Sequence, residues 1–212
     1  MQILIDDLPC DIDANTVGEA IEGAADLARD RGRLIVDVTV DGDLWSETDL
    51  ASAGRQARTA QVIRFSSAEP TELVRQTFAD AGNALTDADE LQREAAELLQ
   101  SDKGAAAMDK LGEAISIWLC VQKAIVSGAE LMGLDLETMT VGGKPLPEAI
   151  GRLTDRLGAV RNGLKEGNVI ELADTLLYEF PPIIEEWRRL LAELQERIAP
   201  KESRRQLGEP SE

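Results

Sequence analysis

The sequence contains no histidine among its 212 residues. Histidine is the usual general base of Ser-His-Asp and Cys-His enzymes and a common ligand in zinc and di-iron sites. Its absence therefore excludes these catalytic classes and most of these metal centres. We accordingly predict a non-enzymatic protein with no catalytic residues, no metal ligands and no cofactor.

Cysteines and basic residues are also few. Cys10 and Cys120 lie far apart, with no Cys-x-x-Cys pair, as is typical of reduced residues in a cytoplasmic protein. A disulfide between them is the alternative. The chain has 22 Lys and Arg against 40 Asp and Glu, a net charge of −18. Because affinity for phosphates needs a basic surface, we predict no nucleic-acid partner. The acidity favours solubility, or a basic protein partner.

Targeting and membrane segments are not evident. Residues 1–7 have no basic region and turn acidic at once, so no signal peptide is predicted. The most apolar stretch is residues 108–132, and charged residues cross it at Lys110, Glu113, Lys123 and Glu130. We interpret it as too short and too charged to span a bilayer, which predicts a cytoplasmic protein without a membrane partner.

This apolar stretch has two stripes at helical spacing. The first comprises Leu111, Ile115, Trp118, Ile125, Ala129 and Met132. The second comprises Ala114, Ile117, Val121, Ala124 and Gly128. A surface helix normally has one stripe facing the core, so two stripes predict a helix packed by at least two neighbours, with one polar edge. The second stripe belongs either to the core or to a dimer or partner interface, in which Ala114, Ile117, Val121 and Ala124 are the contacts.

Residues 1–68 have the pattern of strands and one helix. Ile3 and Ile5 lie two residues apart, as on one face of a strand, and Thr16-x-x-Glu19 is a capping box that begins a helix. Residues 34–40 form the clearest strand, which ends at the Asp41-Gly42 hairpin signal. Residues 62–65 form a last strand.

This order of hairpin, helix, strand, Asp-Gly turn, short strand and final strand resembles the β-grasp fold of ubiquitin-like and sulfur-carrier proteins, over residues 1–66. Carriers of that family expose a C-terminal Gly-Gly tail. Here Ser66-Ser67-Ala68-Glu69-Pro70 leads directly towards a helix, so the resemblance does not imply a carrier function. A half-ferredoxin-like αβ module is the competing fold.

The chain after Pro70 is predicted to be helical. One helix covers residues 70–99, or two with a break near Gly82-Asn83, and further helices follow at 108–132 and 146–164. Asn168 caps a last helix, which Pro181-Pro182 interrupts with a kink or short break. Residues 133–147 are a linker, either a crossover or a small hairpin.

We therefore predict an α+β protein. A small β-grasp-like domain spans residues 1–68, an antiparallel bundle of four to five helices spans 69–199, and a disordered polar tail spans 200–212.

The remaining motifs carry no strong chemistry. The Gly142-Gly143-Lys144 segment lacks the P-loop spacing. The acids near Asp41 and near Glu171 lie on faces that we interpret as solvated. Tyr178 lies off the apolar stripe of its helix, beside the proline pair, and is our candidate for a surface contact with a partner.

These observations favour a protein-interaction module, either an adaptor, a chaperone-like protein or an assembly subunit, whose partner is another protein or a second copy of the chain. The alternative is a carboxylate- or metal-dependent enzyme, or a small-ligand binder, with its site in a cleft between the two domains.

Overall fold

The computed structural model describes residues 1–198, so the predicted tail at 200–212 lies outside the described residues. The described chain divides into two compact units, residues 1–73 and residues 74–198. The first contains a mixed sheet with a helix and the second is helical, which confirms the predicted α+β class.

The first unit contains a five-stranded sheet. Its elements are β1 (Gln2–Ile5), β2 (Leu8–Pro9), α1 (Val17–Asp30), β3 (Leu34–Val40), β4 (Asp43–Leu44), the short helices α2 (Glu47–Leu50) and α3 (Ala53–Gln56), and β5 (Val62–Ala68). The strand order is β2-β1-β5-β3-β4, with β1 and β5 parallel and the other neighbours antiparallel. Helices α2 and α3 lie in the connection between β4 and β5.

Two tight turns set the registers of this sheet. Asp6 and Asp7 connect β1 to β2 with φ of 50° and 63°, and Asp41 and Gly42 connect β3 to β4 with φ of 51° and 97°. Positive φ at both central residues is the geometry of a type I′ turn, which matches the twist of the flanking strands. The Asp41-Gly42 hairpin is therefore confirmed.

One face of α1 covers the sheet. Thr16 caps the helix, with its hydroxyl accepting the Glu19 N–H and the Glu19 carboxylate accepting the Thr16 N–H, which confirms the capping box. The core of the unit joins this helix to the inward side of the strands. It comprises Val17, Ala20, Ala24, Ile3, Ile5, Val38, Val40, Trp45, Ile63 and Phe65.

The second unit is built from long helices. Its elements are α4 (Pro70–Gln100), α5 (Gly104–Met132), β6 (Thr140–Val141), β7 (Lys144–Pro145), α6 (Leu146–Glu166), α7 (Val169–Asp174), a π-helical segment (Thr175–Glu179) and α8 (Phe180–Ile198). Helix α4 continues through Gly82 and Asn83, so of the two predicted alternatives the unbroken helix forms. Gly167 ends α6 with φ of 65°, as expected for a left-handed C-cap.

Trp118 lies at the centre of the helical core and is fully buried. Its ring lies 5.6 Å from that of Trp187, edge to face at 88°, and 6.2 Å from that of Phe180. This edge-to-face geometry is the favoured aromatic arrangement. Trp118 therefore joins α5 to α8, and its burial agrees with its place in the first stripe.

Helix α5 differs from the prediction along its outward edge. Leu119 and Val126 are 59% and 56% exposed, although the sequence predicts only polar residues outside the two stripes.

An 18-residue window of α5 has a mean hydropathy of 1.3, and 28% of it is buried. The prediction that this stretch is too short and too charged to span a bilayer is wrong on length and composition. A helix in the core of a soluble protein can have the same length and hydropathy, so these two properties are weak evidence for a membrane span.

The proline pair changes the helix type without breaking the helix. Before Pro181 the chain widens into the π-helical turn, where the Phe180 N–H donates to the Thr175 carbonyl five residues back. A proline has no N–H and its ring clashes with the carbonyl four residues earlier. The wider turn accommodates both effects, and α7, the π-helical turn and α8 follow one another without an interruption.

The linker after α5 forms a small hairpin. Strands β6 and β7 meet at Gly142 and Gly143, whose φ values are 55° and 77°. The carboxylate of Glu193 on α8 accepts the Gly142 N–H at 2.9 and 3.1 Å, and the Arg197 guanidinium donates to the Thr140 carbonyl. Two residues one turn apart on α8 thus attach the hairpin to the bundle.

Candidate interaction surface

An apolar pocket of about 220 Å³ opens between α5, the linker and α6. We call it the Val126 pocket. Its walls are almost entirely hydrophobic, and Gln122 is the single polar side chain among them. The lining residues are Gln122, Ile125, Val126, Leu136, Leu146, Ile150 and Trp187.

The helical repeat explains why apolar side chains surround the pocket entrance. Leu119 and Val126 are seven residues apart, so they lie one above the other on α5. Ile125 precedes Val126 and is rotated by about 100°, which directs it into the core. Ile150 on α6 is 37% exposed. Leu119 thus extends the apolar surface beyond the pocket along α5.

Trp187 forms the buried part of the pocket wall. Its side chain is 2% exposed, and its indole N–H has no hydrogen-bond acceptor among residues 1–198. A buried donor without an acceptor costs about 1–3 kcal/mol. Trp187 therefore presents an apolar surface to the pocket, while its buried indole N–H is an unsatisfied hydrogen-bond donor.

Acidic residues outnumber basic ones beside this pocket. Asp135 and Glu137 flank the lining residue Leu136 in the chain, and Glu130 follows Val126 by about one helical turn; all three are exposed. The exposed cations beside lining residues are Lys123 on α5 and Arg188 on α8, and Arg188 pairs with Glu185. Asp135 also orders the linker, since its carboxylate accepts the Glu137 N–H and the Thr138 hydroxyl at 3.0 Å each. The surroundings of the pocket thus favour a cationic partner.

The contact residues predicted from the second stripe do not form one exposed surface in the structure. Ala114 and Val121 are 0% and 1% exposed and lie in the chain's own core, whereas Ile117 and Ala124 are half-buried. Only Tyr178 presents a large exposed side chain, at 70%, on the π-helical segment. None of these five residues lines the Val126 pocket.

Sequence reasoning missed Leu119, Val126 and Ile150 as surface residues. The available signal was that Leu119 and Val126 are large apolar residues that belong to neither stripe of α5. Ile150 gave no such signal, because it fits the four-three pattern of its helix together with buried Leu146 and Leu153.

A second and more polar pocket, of about 380 Å³, lies where the β6–β7 hairpin meets α6 and α8. We call it the hairpin pocket. Arg152 crosses it and donates to both carboxylate oxygens of Glu186, with Nε to Oε2 at 2.9 Å. This hydrogen bond raises the pKa of Arg152 above its ordinary value. The lining residues are Val141, Gly142, Lys144, Arg152, Pro182, Ile183, Glu186, Arg189 and Glu193.

The acidic clusters noted in the sequence have separate partners. The Asp41 carboxylate accepts the N–H groups of Gln61 and Val62, and Glu171 pairs with the capping residue Asn168. Glu179 pairs with Arg156 on the neighbouring helix. Within residues 1–198, no three acidic or cysteine side chains lie close enough to hold a metal ion. Cys10 and Cys120 are both free thiols.

Comparison with protein-family models, with curated proteins and with solved structures found no match to this chain.

Proposed function

We propose that this chain is a non-enzymatic protein-interaction module, an adaptor or assembly subunit, that docks its partner at the Val126 pocket. The observation that supports the proposal is a concave apolar site that stays open although the bundle has a complete core of its own. Exposed apolar patches on soluble proteins commonly mark contact sites.

The partner that best fits the pocket is a basic amphipathic helix of another protein. Such a helix would insert one apolar side chain into the pocket, where it would contact Val126 and Ile150, and would lay a second one on Leu119. Its Lys or Arg residues would face Glu130, Asp135 and Glu137. The net charge of −18 would accelerate the encounter with a cationic partner.

Two further expectations remain proposals. We propose a cytoplasmic location, which the two free thiols support. We also propose that the first unit is a β-grasp domain, because its hairpin, helix, strand, short hairpin strand and final strand follow the predicted order. Strand β5 is followed by α4 at Pro70, which gives no support to a carrier role.

A synthetic peptide helix tests the docking proposal. The probe carries leucines one turn apart and lysines on both flanks, and its binding to the full chain is followed by fluorescence anisotropy. We expect saturable micromolar binding that Leu119→Ser and Val126→Ser each weaken by at least about tenfold. Both side chains are more than half exposed, so neither change should unfold the bundle.

The matched control is Leu131→Ser. Leu131 is 44% exposed on the same helix and lies about 140° around the axis from Val126. Equal loss of binding in this variant would contradict a specific pocket, and so would equal binding of a peptide with glutamates in place of the lysines. Binding of the chain to neutral lipid vesicles, lost in Val126→Ser, would instead assign the surface to a membrane. A dimer that Val126→Ser dissociates would assign it to a second copy.

A further inference from the structure

We propose that the hairpin pocket binds a small organic anion. Its oxyanion head, a carboxylate or a phosphate, would lie between Lys144 and Arg189. Its apolar body would lie against Pro182 and Ile183. This site is separate from the Val126 pocket and does not depend on the docking proposal.

The charges that line the pocket are unevenly paired. The Glu186 carboxylate accepts hydrogen bonds from Arg152 at both of its oxygens. The Glu193 carboxylate accepts the Gly142 N–H. Lys144 and Arg189 form no ion pair or side-chain hydrogen bond within the part of the chain that the structure describes. The lining therefore presents two unpaired cations.

The pocket lining carries three cations, Lys144, Arg152 and Arg189, against two carboxylates, although acidic residues outnumber basic ones by 40 to 22 in the whole chain. The pocket thus has an excess of one positive charge, and a bound anion would be attracted to both unpaired cations. Arginine can in addition hold a carboxylate or phosphate with two parallel hydrogen bonds. The charge distribution thus favours an oxyanion over a neutral or cationic ligand.

The walls of the pocket are held in place before a ligand arrives. Glu193 and Arg197 attach the hairpin to α8, Arg152 joins α6 to α8, and Pro182 restricts the backbone on the far side. A preformed site loses little conformational entropy on binding. The volume of about 380 Å³ lies in the range of small-molecule sites, and Val141, Pro182 and Ile183 provide the apolar surface.

The test uses benzoate and phenyl phosphate, which carry the two candidate head groups on one apolar body, with benzamide as the neutral counterpart. Each is titrated into the full ¹⁵N-labelled chain at low salt. We expect saturable shifts of the Gly142, Gly143 and Lys144 amides with at least one anion, at a dissociation constant of millimolar or below. The anion that binds more tightly identifies the head group.

Two double variants, each of which removes two positive charges, decide the outcome. Lys144→Gln with Arg189→Gln should weaken binding by at least about tenfold. The control, Lys123→Gln with Arg188→Gln, removes the same two charges outside the pocket. Arg188 is the sequence neighbour of Arg189 and pairs with Glu185 at 3.5 Å.

Three results would each overturn the proposal. The first is equal weakening in both double variants, which would mean general charge attraction. The second is equal binding of benzamide. The third is the absence of saturable shifts with either anion up to about 50 mM.

Discussion

Gly128 on α5 packs against the outer atoms of the Phe78 ring on α4. A Cβ atom at Gly128 would lie 2.7 Å from both Cε1 and Cζ of that ring and 3.0 Å from Cγ1 of Val74. Phe78 is fully buried, so the ring has little space into which to move. The absence of a side chain at Gly128 permits this close contact between the two helices.

We expect Gly128→Ala to destabilise the helical unit by about 1–3 kcal/mol, because the added methyl overpacks the contact with Phe78. The control is Gly112→Ala on the same helix, where a Cβ would meet nothing within 4 Å. That change should stabilise by up to about 1 kcal/mol through helix propensity. Urea unfolding measures both, and the opposite order of stability would contradict the contact.

Asp41 links the β3–β4 turn to the start of β5. The N–H groups of Val62 and Gln61, together with the Arg58 guanidinium, hold the pKa of its carboxyl below the ordinary value. The unfolded chain, with a pKa of about 3.9, therefore binds the proton more readily. The contribution of Asp41 is present above that pH and is lost as the pH falls through the folded pKa.

Asp41→Asn keeps a residue that tolerates positive φ but removes the charge. We expect a lower unfolding free energy than wild type at pH 7 and a smaller difference between the two proteins at pH 3. The control Asp43→Asn removes the same charge from an exposed carboxylate that does not accept the Val62 N–H. Urea unfolding at both pH values is the measurement, and an unchanged gap at pH 3 would contradict this role of Asp41.

Tyr178 and Phe180 lie two residues apart, but we expect them to contribute very differently to the free energy of unfolding. Tyr178 is 70% exposed and Phe180 is 1% exposed beside Trp118. Tyr178→Ala should change stability by less than about 0.5 kcal/mol, whereas Phe180→Ala should cost about 3–5 kcal/mol. Thermal and urea unfolding compare them. If Tyr178 is a partner contact, as its exposure allows, its alanine variant would lower affinity without lowering stability.

Glu193 should control the mobility of the β6–β7 hairpin. Glu193→Gln replaces a charge-assisted hydrogen bond to the Gly142 N–H with a weaker neutral one. We expect faster hydrogen exchange at the Gly142 amide, with little change in the core amides of α8. Glu130→Gln on α5 removes one exposed carboxylate elsewhere and should leave the Gly142 rate unchanged. An unaltered rate in Glu193→Gln would mean that the hairpin holds its position by its own turn.

Local chemistry in the sequence was sufficient to predict several elements. Thr16 with Glu19, Asp41 with Gly42, and Asn168 each act over one turn, so their signals do not depend on the rest of the fold. The structure confirms the boundaries that they mark.

The buried face of α4 keeps a four-three spacing along the whole helix. It comprises Val74, Phe78, Ala81, Leu85, Ala88, Gln92, Ala95 and Leu99. Gln92, a polar residue, is buried at one of these positions, whereas the apolar residues Leu91 and Leu98 are half-buried. Hydrophobicity alone therefore does not identify which residue of such a neighbouring pair enters the core, because that depends on where the other helices lie.

By itself the sequence determined the α+β class, the Asp41-Gly42 turn, the caps at Thr16 and Asn168 and the lack of histidine. Only the tertiary structure decided that Ala114 and Val121 are enclosed while Leu119 and Val126 face outward, and that Lys144 and Arg189 line one pocket. Periodicity fixes the angle of a residue around its own helix. Whether that angle meets a neighbour, a cavity or water depends on where the other helices lie, and this is set by packing contacts between residues distant in the chain.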